Sequence, residues 1–244
     1  MAIAADREAK IWKVDEMTFS IAGFCRRTRE FGCAVATSSM AVGGRVAFVA
    51  PGAGVVLSQA RSDPRLGILG LKRLETGGSA RETLADMIAS TPQSAWRQLG
   101  VVDLEGGIAE FTGAQCAPAK GACVGQGVLA IGNGLANDAV VGAMLKGFEA
   151  APDKPLTDRL LIALEYGLDA GGEADPLRSA AIKVGRPNVP FPPIDLRVDD
   201  SEMPITDLRR LWTLWAPMVD GYVERCLDPA SAPLAAEIER RVTR

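Results

Sequence analysis

The chain has 244 residues, 48% of them hydrophobic and 23% charged, so it can bury a large core as one domain or two small ones. Its net charge of −3 gives no electrostatic reason to bind nucleic acid or an anionic membrane, and no apolar run reaches the roughly 18 residues of a membrane span. The absence of histidine excludes a Ser/His/Asp triad, a Cys/His pair and an H-E-x-x-H zinc site.

The first 16 residues carry mixed charges and lack the apolar segment of a secretory signal. We interpret residues 1–16 as a disordered leader or as the product of a misplaced start codon. The rest of the sequence predicts one domain over residues 17–228 and a helical tail over residues 229–244.

The first half of the domain predicts an antiparallel meander followed by two helices. Apolar alternation, interrupted by glycine and proline turns, predicts strands over residues 18–24, 31–37, 45–50 and 53–60. A helix is expected to begin at Pro64 and to end near Leu74. Residues 79–82 form a capping-box sequence that opens a second helix, ending near Ala89.

The second half predicts further strands and a second helix pair. Strands are predicted over residues 95–103, 108–112, 121–131, 177–184 and 195–198, and helices over 137–150, 156–166 and about 208–215. Four prolines within residues 186–193 indicate a linker or surface strap, and Pro217 is expected to break or kink the last helix. Because strands and helix pairs follow one another without alternating βαβ units, the sequence predicts an α+β fold.

The cysteines are odd in number and lack the C-x-x-C spacing of zinc sites. They are Cys25, Cys33, Cys116, Cys123 and Cys226. Cys25 and Cys33 could face each other across a predicted hairpin, but buried free thiols are favoured, and with them a cytoplasmic location. With no imidazole and no clustered thiols, we expect no metal and no other cofactor.

Polar residues follow two of the predicted strands. Ser38 and Ser39 end the second strand, and Ser58-Gln59-Ala60-Arg61 ends the fourth. In an antiparallel meander the second and fourth strands finish at the end where the first strand starts, so these side chains could converge there. Polar strand ends are also where any sheet meets water, and the pattern alone leaves their function open.

A protein without histidine needs another general base if it is an enzyme. A free α-amino group has a pKa of about 7.7 to 8.0 and can take a proton from a neighbouring hydroxyl near neutral pH. The segment Met17-Thr18-Phe19-Ser20 offers such a hydroxyl on Thr18, provided that Thr18 becomes the first residue of the chain.

A series of short motifs resembles one known family. The motifs occur in order at residues 17–21, 31–38, 41–43, 54–60, 98–103, 111–116, 132–133, 171–172, 178–181 and 195–200. Together they resemble the DUF1028 family, a bacterial family of unknown function with an N-terminal nucleophile (Ntn) hydrolase-like fold. The resemblance extends from Met17 to about Asp228.

The resemblance implies a four-layer αββα sandwich of two stacked antiparallel sheets flanked by helix pairs, with the strand from Thr18 central in one sheet. Ntn hydrolases use an N-terminal Thr, Ser or Cys as nucleophile and the amine of that residue as base. The resemblance therefore implies Thr18 as the nucleophile. We expect backbone N–H groups or the Asn133 amide to hold the oxyanion, and Ser20, Ser38, Ser39 and Arg61 to orient the substrate or tune the amine.

The sequence departs from this pattern in two respects. Sixteen residues precede Met17, and the second strand lacks the lysine that proteasome-like members of the superfamily place beside the nucleophile. Arg45 or Arg61 would have to supply the positive charge.

Two hypotheses follow for the function. In the first, the protein is an amidohydrolase that acts on a small acylated or ureido-type metabolite. In the second, it is a catalytically silent Ntn-fold protein that binds a ligand or forms part of an assembly. A helix bearing Trp212 and Trp215 and the general prevalence of twofold pairs suggest a homodimer or a higher homo-oligomer.

Overall fold

The computed structural model describes residues 17–242, within which ten β-strands and seven α-helices form an α+β fold. The strands are β1 (Thr18–Phe24), β2 (Phe31–Thr37), β3 (Ala47–Ala50), β4 (Gly54–Ala60), β5 (Arg97–Asp103), β6 (Ile108–Thr112), β7 (Gly121–Gly125), β8 (Val128–Asn133), β9 (Ser179–Gly185) and β10 (Ile194–Val198). The helices are α1 (Pro64–Glu75), α2 (Ala80–Ala89), α3 (Val140–Glu149), α4 (Leu156–Asp169), α5 (Pro204–Trp215), α6 (Val219–Leu227) and α7 (Ala235–Glu239). The predicted leader lies outside the described residues.

The strands form two antiparallel sheets. The larger sheet has the order β10-β9-β2-β1-β8-β7, and the smaller has the order β3-β4-β5-β6. The α+β class, the two antiparallel sheets and the inner position of β1 are therefore confirmed. In this register Thr18 lies opposite Asn133 of β8, so the start of β1 meets the end of β8.

Buried apolar residues form three clusters around the two sheets. One cluster joins residues from both sheets, among them Leu57 and Ile131. The second packs the larger sheet against α3, α4 and α5 and contains Phe148, and the third packs Val56 of the smaller sheet against Met87 of α2. Full burial of a side chain such as Leu57 stabilises the fold by about 1.5–3 kcal/mol. Inner strands such as β1 and β4 are buried along their whole length, which explains their near-continuous apolar sequences.

The predicted strand over residues 121–131 is wrong, because this segment forms the hairpin of β7 and β8. Gly125 pairs with Val128, and Gln126 and Gly127 make the turn between them. Gly127 has a φ of +68°, which an L side chain rarely adopts. Apolar residues lie on both sides of this short turn, so the apolar composition of the whole segment did not reveal the reversal.

The predicted helix boundaries of the first pair are confirmed. Asp63 caps α1 by accepting a hydrogen bond from the backbone N–H of Arg65 at 3.1 Å, with Pro64 in the first helical turn. Ser79 and Glu82 form the predicted capping box at the start of α2. These caps satisfy backbone donors that the first turn of a helix leaves without partners.

The described cysteines are free thiols, and Cys25 does not face Cys33. Cys33 lies opposite Ala22 in the register of β1 and β2, whereas Cys25 lies beyond the end of β1. Their side chains belong to different core clusters, on opposite faces of the larger sheet. Strand register therefore separates the two thiols despite their closeness in sequence.

The C-terminal part packs on the outside of the larger sheet. Pro217 lies between α5 and α6, as the predicted helix break requires. Trp212 is buried and donates its indole N–H to Asp158 at 3.1 Å, and Trp215 donates to the backbone oxygen of Pro193 at 3.1 Å. Both indoles thus bind within the chain, and the homo-oligomer stays a prediction. Within residues 17–242, no helix has the length and apolarity needed to cross a bilayer.

Candidate functional site

The beginning of β1 lies where several neighbouring strands end. Thr18 is buried, with 4% of its surface exposed, and pairs across the sheet with Asn133, the last residue of β8. Thr37 ends β2 on the other side of β1 and pairs with Ser179, the first residue of β9. Antiparallel pairing therefore brings four polar side chains to one edge of the larger sheet.

Two hydroxyl groups donate to one backbone carbonyl at this edge. The Oγ1 atom of Thr18 donates to the carbonyl oxygen of Met17 at 2.5 Å, and the Oγ1 atom of Thr37 donates to the same oxygen at 2.6 Å. Met17 is itself buried and lies against Gly134, where a Cβ atom would overlap its side chain. The arrangement places an amide carbonyl beside a threonine hydroxyl and polarises that carbonyl with two donors.

A guanidinium group is connected to this carbonyl through two hydroxyls. Nη2 of Arg45 donates to Oγ of Ser39 and also donates to the backbone oxygen of Met40 at 3.1 Å. Oγ of Ser39 lies 3.3 Å from Oγ1 of Thr37, which donates to the Met17 carbonyl. Hydrogen bonds in series polarise one another, so the positive charge strengthens the donor at the carbonyl.

A second network of buried side chains supports the start of β1 from inside the molecule. Ser20 donates to Oε1 of Gln59 at 2.5 Å, and Nε2 of Gln59 donates to the backbone oxygen of Thr18 at 3.3 Å. Nε2 of Gln59 and Nδ2 of Asn133 both donate to Oε1 of Gln98, at 2.8 and 2.9 Å. Three amide side chains thus link the two sheets and fix the backbone of Thr18 in position.

Glu173 is a buried carboxyl group that sequence reasoning missed. It follows Gly171 and Gly172, whose φ angles of +122° and +60° favour glycine, and only 6% of its surface is exposed. The backbone N–H of Ser38 donates to its Oε2 atom at 2.7 Å. A carboxylate directly after a glycine pair was the available signal, because such pairs often bring the chain into close contact with another segment.

Burial raises the pKa of Glu173 to about 8. The hydrogen bond from the backbone N–H of Ser38 acts in the opposite direction and lowers this pKa, while the negative charge of Asp175 raises it. Among residues 17–242, neither Oε1 of Glu173 nor Oγ of Ser38 has a hydrogen-bond partner. The carboxyl therefore carries a proton near neutral pH.

The structure brings most of the predicted site residues together, with one exception. Thr18, Ser38 and Ser39 lie at the sheet edge, and Ser20 and Asn133 belong to the amide network behind it. The guanidinium of Arg61 stacks over the ring of Trp96, 4.2 Å from its centroid. Of the two arginines considered for the positive charge, Arg45 is the one bonded to Ser39. Ser58, at the end of β4, donates to the backbone oxygen of Asp63 at 3.0 Å and so supports the start of α1.

Metal-binding residues are not grouped in the part of the chain that the structure describes. Between Met17 and Val242, no three side chains from Cys, Asp and Glu lie together in a way that could hold a metal ion. The expectation that the protein uses no metal or cofactor stays a prediction.

Sequence and structure comparisons place the chain in a family. Residues 18–208 match DUF1028, described as a family of unknown function. No match was found among curated proteins. The crystal structure of SPO2555 from Silicibacter pomeroyi, a DUF1028 protein, is 34% identical over 82% of this chain and 89% of that one, with a TM-score of 0.76. Anbu (ancestral beta-subunit) from Yersinia bercovieri is 13% identical over 88% of this chain and 100% of that one, and its TM-score of 0.38 is too low to argue a shared fold. The extent of the family match and the similarity to SPO2555 lead to one conclusion: the chain belongs to the DUF1028 family.

Proposed function

We propose that the protein is an N-terminal nucleophile amidohydrolase in which Thr18 cleaves an amide bond of a small metabolite. The observation that carries this proposal is the pair of threonine hydroxyls, those of Thr18 and Thr37, that converge on one amide carbonyl at the buried start of β1. The family match, which begins at residue 18, is consistent with it.

The proposal includes a four-layer αββα sandwich. Support comes from the three apolar clusters, one of which lies between the sheets and two of which lie between a sheet and its helices. The inner position of β1 in the larger sheet is a second supporting observation, because the first strand then delivers its initial residue to the meeting point of its neighbours.

The chemistry begins once the peptide bond between Met17 and Thr18 is cut. The free amine of Thr18, with a pKa of about 7.7 to 8.0, accepts the hydroxyl proton while Oγ1 bonds to the substrate carbonyl carbon. The resulting ammonium gives its proton to the leaving nitrogen as the C–N bond breaks, and the acyl group remains on Oγ1 as an ester. Water then hydrolyses the ester, which releases the acid and restores the hydroxyl.

The substrate carbonyl would take the position that the Met17 carbonyl occupies. The hydroxyl of Thr37 then donates to the developing oxyanion, and Arg45 strengthens this donor through Ser39. This chain of donors would replace the lysine that the second strand lacks. Ser38, whose backbone N–H holds Glu173, remains a proposed supporting residue.

The remaining predicted residues have supporting roles in the proposal. Ser20 and Asn133 hold the amide network that fixes the Thr18 backbone. Because Nδ2 of Asn133 already donates to Gln98, we assign the hydrogen bond that stabilises the oxyanion to the hydroxyl of Thr37. Arg61 lies at the exposed end of β4, where it would orient the substrate.

A catalytically silent, ligand-binding protein is the second candidate. It is favoured by the peptide bond between Met17 and Thr18, which leaves Thr18 without a basic amine, and by the burial of Met17 beside it. Homodimer formation is compatible with either candidate.

Acylation of Thr18 by a β-lactone tests the proposal without knowledge of the substrate. Attack by Oγ1 opens the lactone ring, forms an ester and transfers a proton to the released alkoxide, so intact-mass spectrometry detects the product. The wild-type chain beginning at Thr18 should be acylated, Thr18→Ala should be inert, and Thr18→Ser should retain part of the rate. Thr83→Ala is the matched control, because it removes the same atoms from a buried threonine in α2.

N-terminal sequencing of the same preparation completes the test. Chains that still begin at Met1 and yet react at the full rate would eliminate the mechanism. Chains that keep the Met17–Thr18 bond and do not react would support the silent candidate.

A further inference from the structure

Met17 has a buried apolar side chain that lies outside the apolar core. Only 6% of its surface is exposed, yet it belongs to none of the three apolar clusters that the described residues form. Its carbonyl accepts hydrogen bonds from Thr18 and Thr37, so the residue sits among the polar groups at the edge of the larger sheet. The side chain therefore fills a recess beside the candidate nucleophile.

Gly134 forms one wall of this recess. A Cβ atom at Gly134 would overlap Cγ of Met17 and lie 3.0 Å from its Cβ, and the φ of +61° favours glycine. The wall is held from two sides, because the N–H of Gly134 donates to the oxygen of Pro118 at 3.2 Å and its own oxygen accepts from the N–H of Ala174 at 3.4 Å. A glycine fixed in this way lets the backbone approach a neighbouring group closely, which is a common use of glycine beside ligands.

The recess lies where the acyl part of a substrate would lie. In the proposed reaction the substrate carbonyl takes the position of the Met17 carbonyl. The group attached to the substrate carbonyl carbon then takes the position of the Met17 Cα atom, and its side chain runs along Gly134 as the Cβ and Cγ atoms of Met17 do. The residue before the nucleophile thus marks the space that is available to an acyl side chain.

Several polar groups around the recess have no partner within the described chain. Among residues 17–242, Oδ1 of Asn133, Oε1 of Glu173 and Oγ of Ser38 are buried and lack a hydrogen-bond partner. Asn133 directly precedes Gly134. Ser38 directly follows Thr37, and its backbone N–H binds Glu173 at 2.7 Å. Buried polar atoms are nearly always paired, so three exceptions at one edge of the sheet point to a bound molecule there.

We propose that this recess is the acyl-binding pocket of the enzyme and that Gly134 determines its specificity, so that the substrates are amides whose acyl group carries a flexible apolar side chain of the size of methionine. Met17 occupies the pocket in the uncleaved chain. Cutting the Met17–Thr18 bond therefore frees the Thr18 amine and empties the pocket together. The inference rests on the proposed function, because it takes the Met17 carbonyl as the position of the carbonyl that Thr18 attacks.

The test compares two β-lactones on the wild-type chain beginning at Thr18. β-Propiolactone has no side chain next to its carbonyl, whereas its α-butyl derivative carries an alkyl group that corresponds to the side chain of methionine. Attack by Oγ1 opens either ring and leaves an ester on Thr18, and intact-mass spectrometry gives each rate. After division by the rate of hydrolysis of each lactone in buffer, we expect the α-butyl lactone to react at least about tenfold faster, because the pocket binds its alkyl group.

Gly134→Ala should remove this preference. Its methyl group would take the space of the Met17 Cγ atom, so the rate with the α-butyl lactone should fall at least about tenfold more than the rate with β-propiolactone. Gly52→Ala is the matched control. It also places a methyl group on a backbone with a positive φ, of +75°, but nothing lies within 4 Å of the added Cβ atom, and the preference should stay at its wild-type value.

Each result has a defined meaning. Equal corrected rates for the two lactones in wild type would overturn the inference, and this comparison decides the question even if Gly134→Ala does not fold. A preference in folded Gly134→Ala equal to that of wild type would also overturn it. Failure of both lactones to acylate Thr18 would overturn the proposed function together with this inference, whereas acylation without preference would overturn only the inference.

Discussion

Replacing Glu173 by glutamine should change how the stability of the protein depends on pH. The carboxyl has an ordinary pKa of 4.5 in the unfolded chain, and burial raises its pKa to about 8 in the folded protein. Below pH 4.5 both states carry the proton and the folded protein keeps its full stability. Between the two pKa values the unfolded chain releases the proton while the folded protein retains it, so stability falls as the pH rises.

The size of the effect follows from the pKa difference. Each pKa unit corresponds to about 1.4 kcal/mol, so the stability lost between pH 4.5 and pH 8 is at most about 5 kcal/mol. Above pH 8 both states are ionised and the loss is constant. Glu173→Gln carries no titrating group at this position and should show none of this loss. Other groups that titrate, such as Asp63, are common to both proteins and cancel in the comparison.

The assay is urea unfolding of wild type and Glu173→Gln at several pH values from about 5 to about 9. The free energy of unfolding of wild type, relative to that of the variant, should fall over this range and then become constant. Glu110→Gln should show no such trend relative to wild type, since that carboxyl lies at the surface. A wild-type-to-Glu173→Gln difference that stays constant across the range would refute the reasoning, because it would mean that the buried carboxyl is not held in its neutral form.

Three further predictions concern the site and the core. Ser39→Ala removes the hydroxyl between a guanidinium group and Thr37, so acylation by a β-lactone should slow by about tenfold, and an unchanged rate would contradict the proposed chain of donors. Gly134→Ala places a methyl group on a backbone with a φ of +61° and against the side chain of Met17, so the free energy of unfolding in urea should fall by about 1–3 kcal/mol. An unchanged free energy of unfolding would argue against that backbone conformation. Burial raises the pKa of Cys33 to about 12, so a thiol reagent near pH 8 should label the exposed Cys226 and reach Cys33 only after unfolding; peptide mapping that finds Cys33 labelled in the native protein would disprove this.

The sequence was sufficient to predict the fold class and most of its elements. Strands such as β1 and β4 are buried on both faces, so their residues are apolar almost throughout and stand out from the glycine and proline turns around them. The capping box at Ser79 and the helix break at Pro217 were equally readable, because both depend on local backbone chemistry. The reversal at Gly127 was missed because apolar residues flank it on both sides.

The chemistry of the candidate site was only partly visible in the sequence. Because the chain has no histidine, the sequence alone led to the hypothesis that an α-amino group serves as the base for the Thr18 hydroxyl. The sequence could not show whether Arg45 or Arg61 supplies the positive charge at the site, because both lie at the ends of predicted strands in the same meander. Only the folded chain places Arg45 against Ser39 and Arg61 against Trp96.

Tertiary structure alone decided which distant residues share the site. Glu173 lies 135 positions from Ser38 in the sequence, and Thr37 lies 20 positions from the carbonyl of Met17 that it binds. Local patterns record the conformation of neighbouring residues, whereas these contacts depend on strand register and on the stacking of two sheets. The sequence by itself therefore determined most of the strands and helices, and the absence of an imidazole base. The pairing of β1 with β2 and β8 placed the Thr37 hydroxyl and the Asn133 amide beside the start of β1, and the stacking of the two sheets added Gln59 and Gln98.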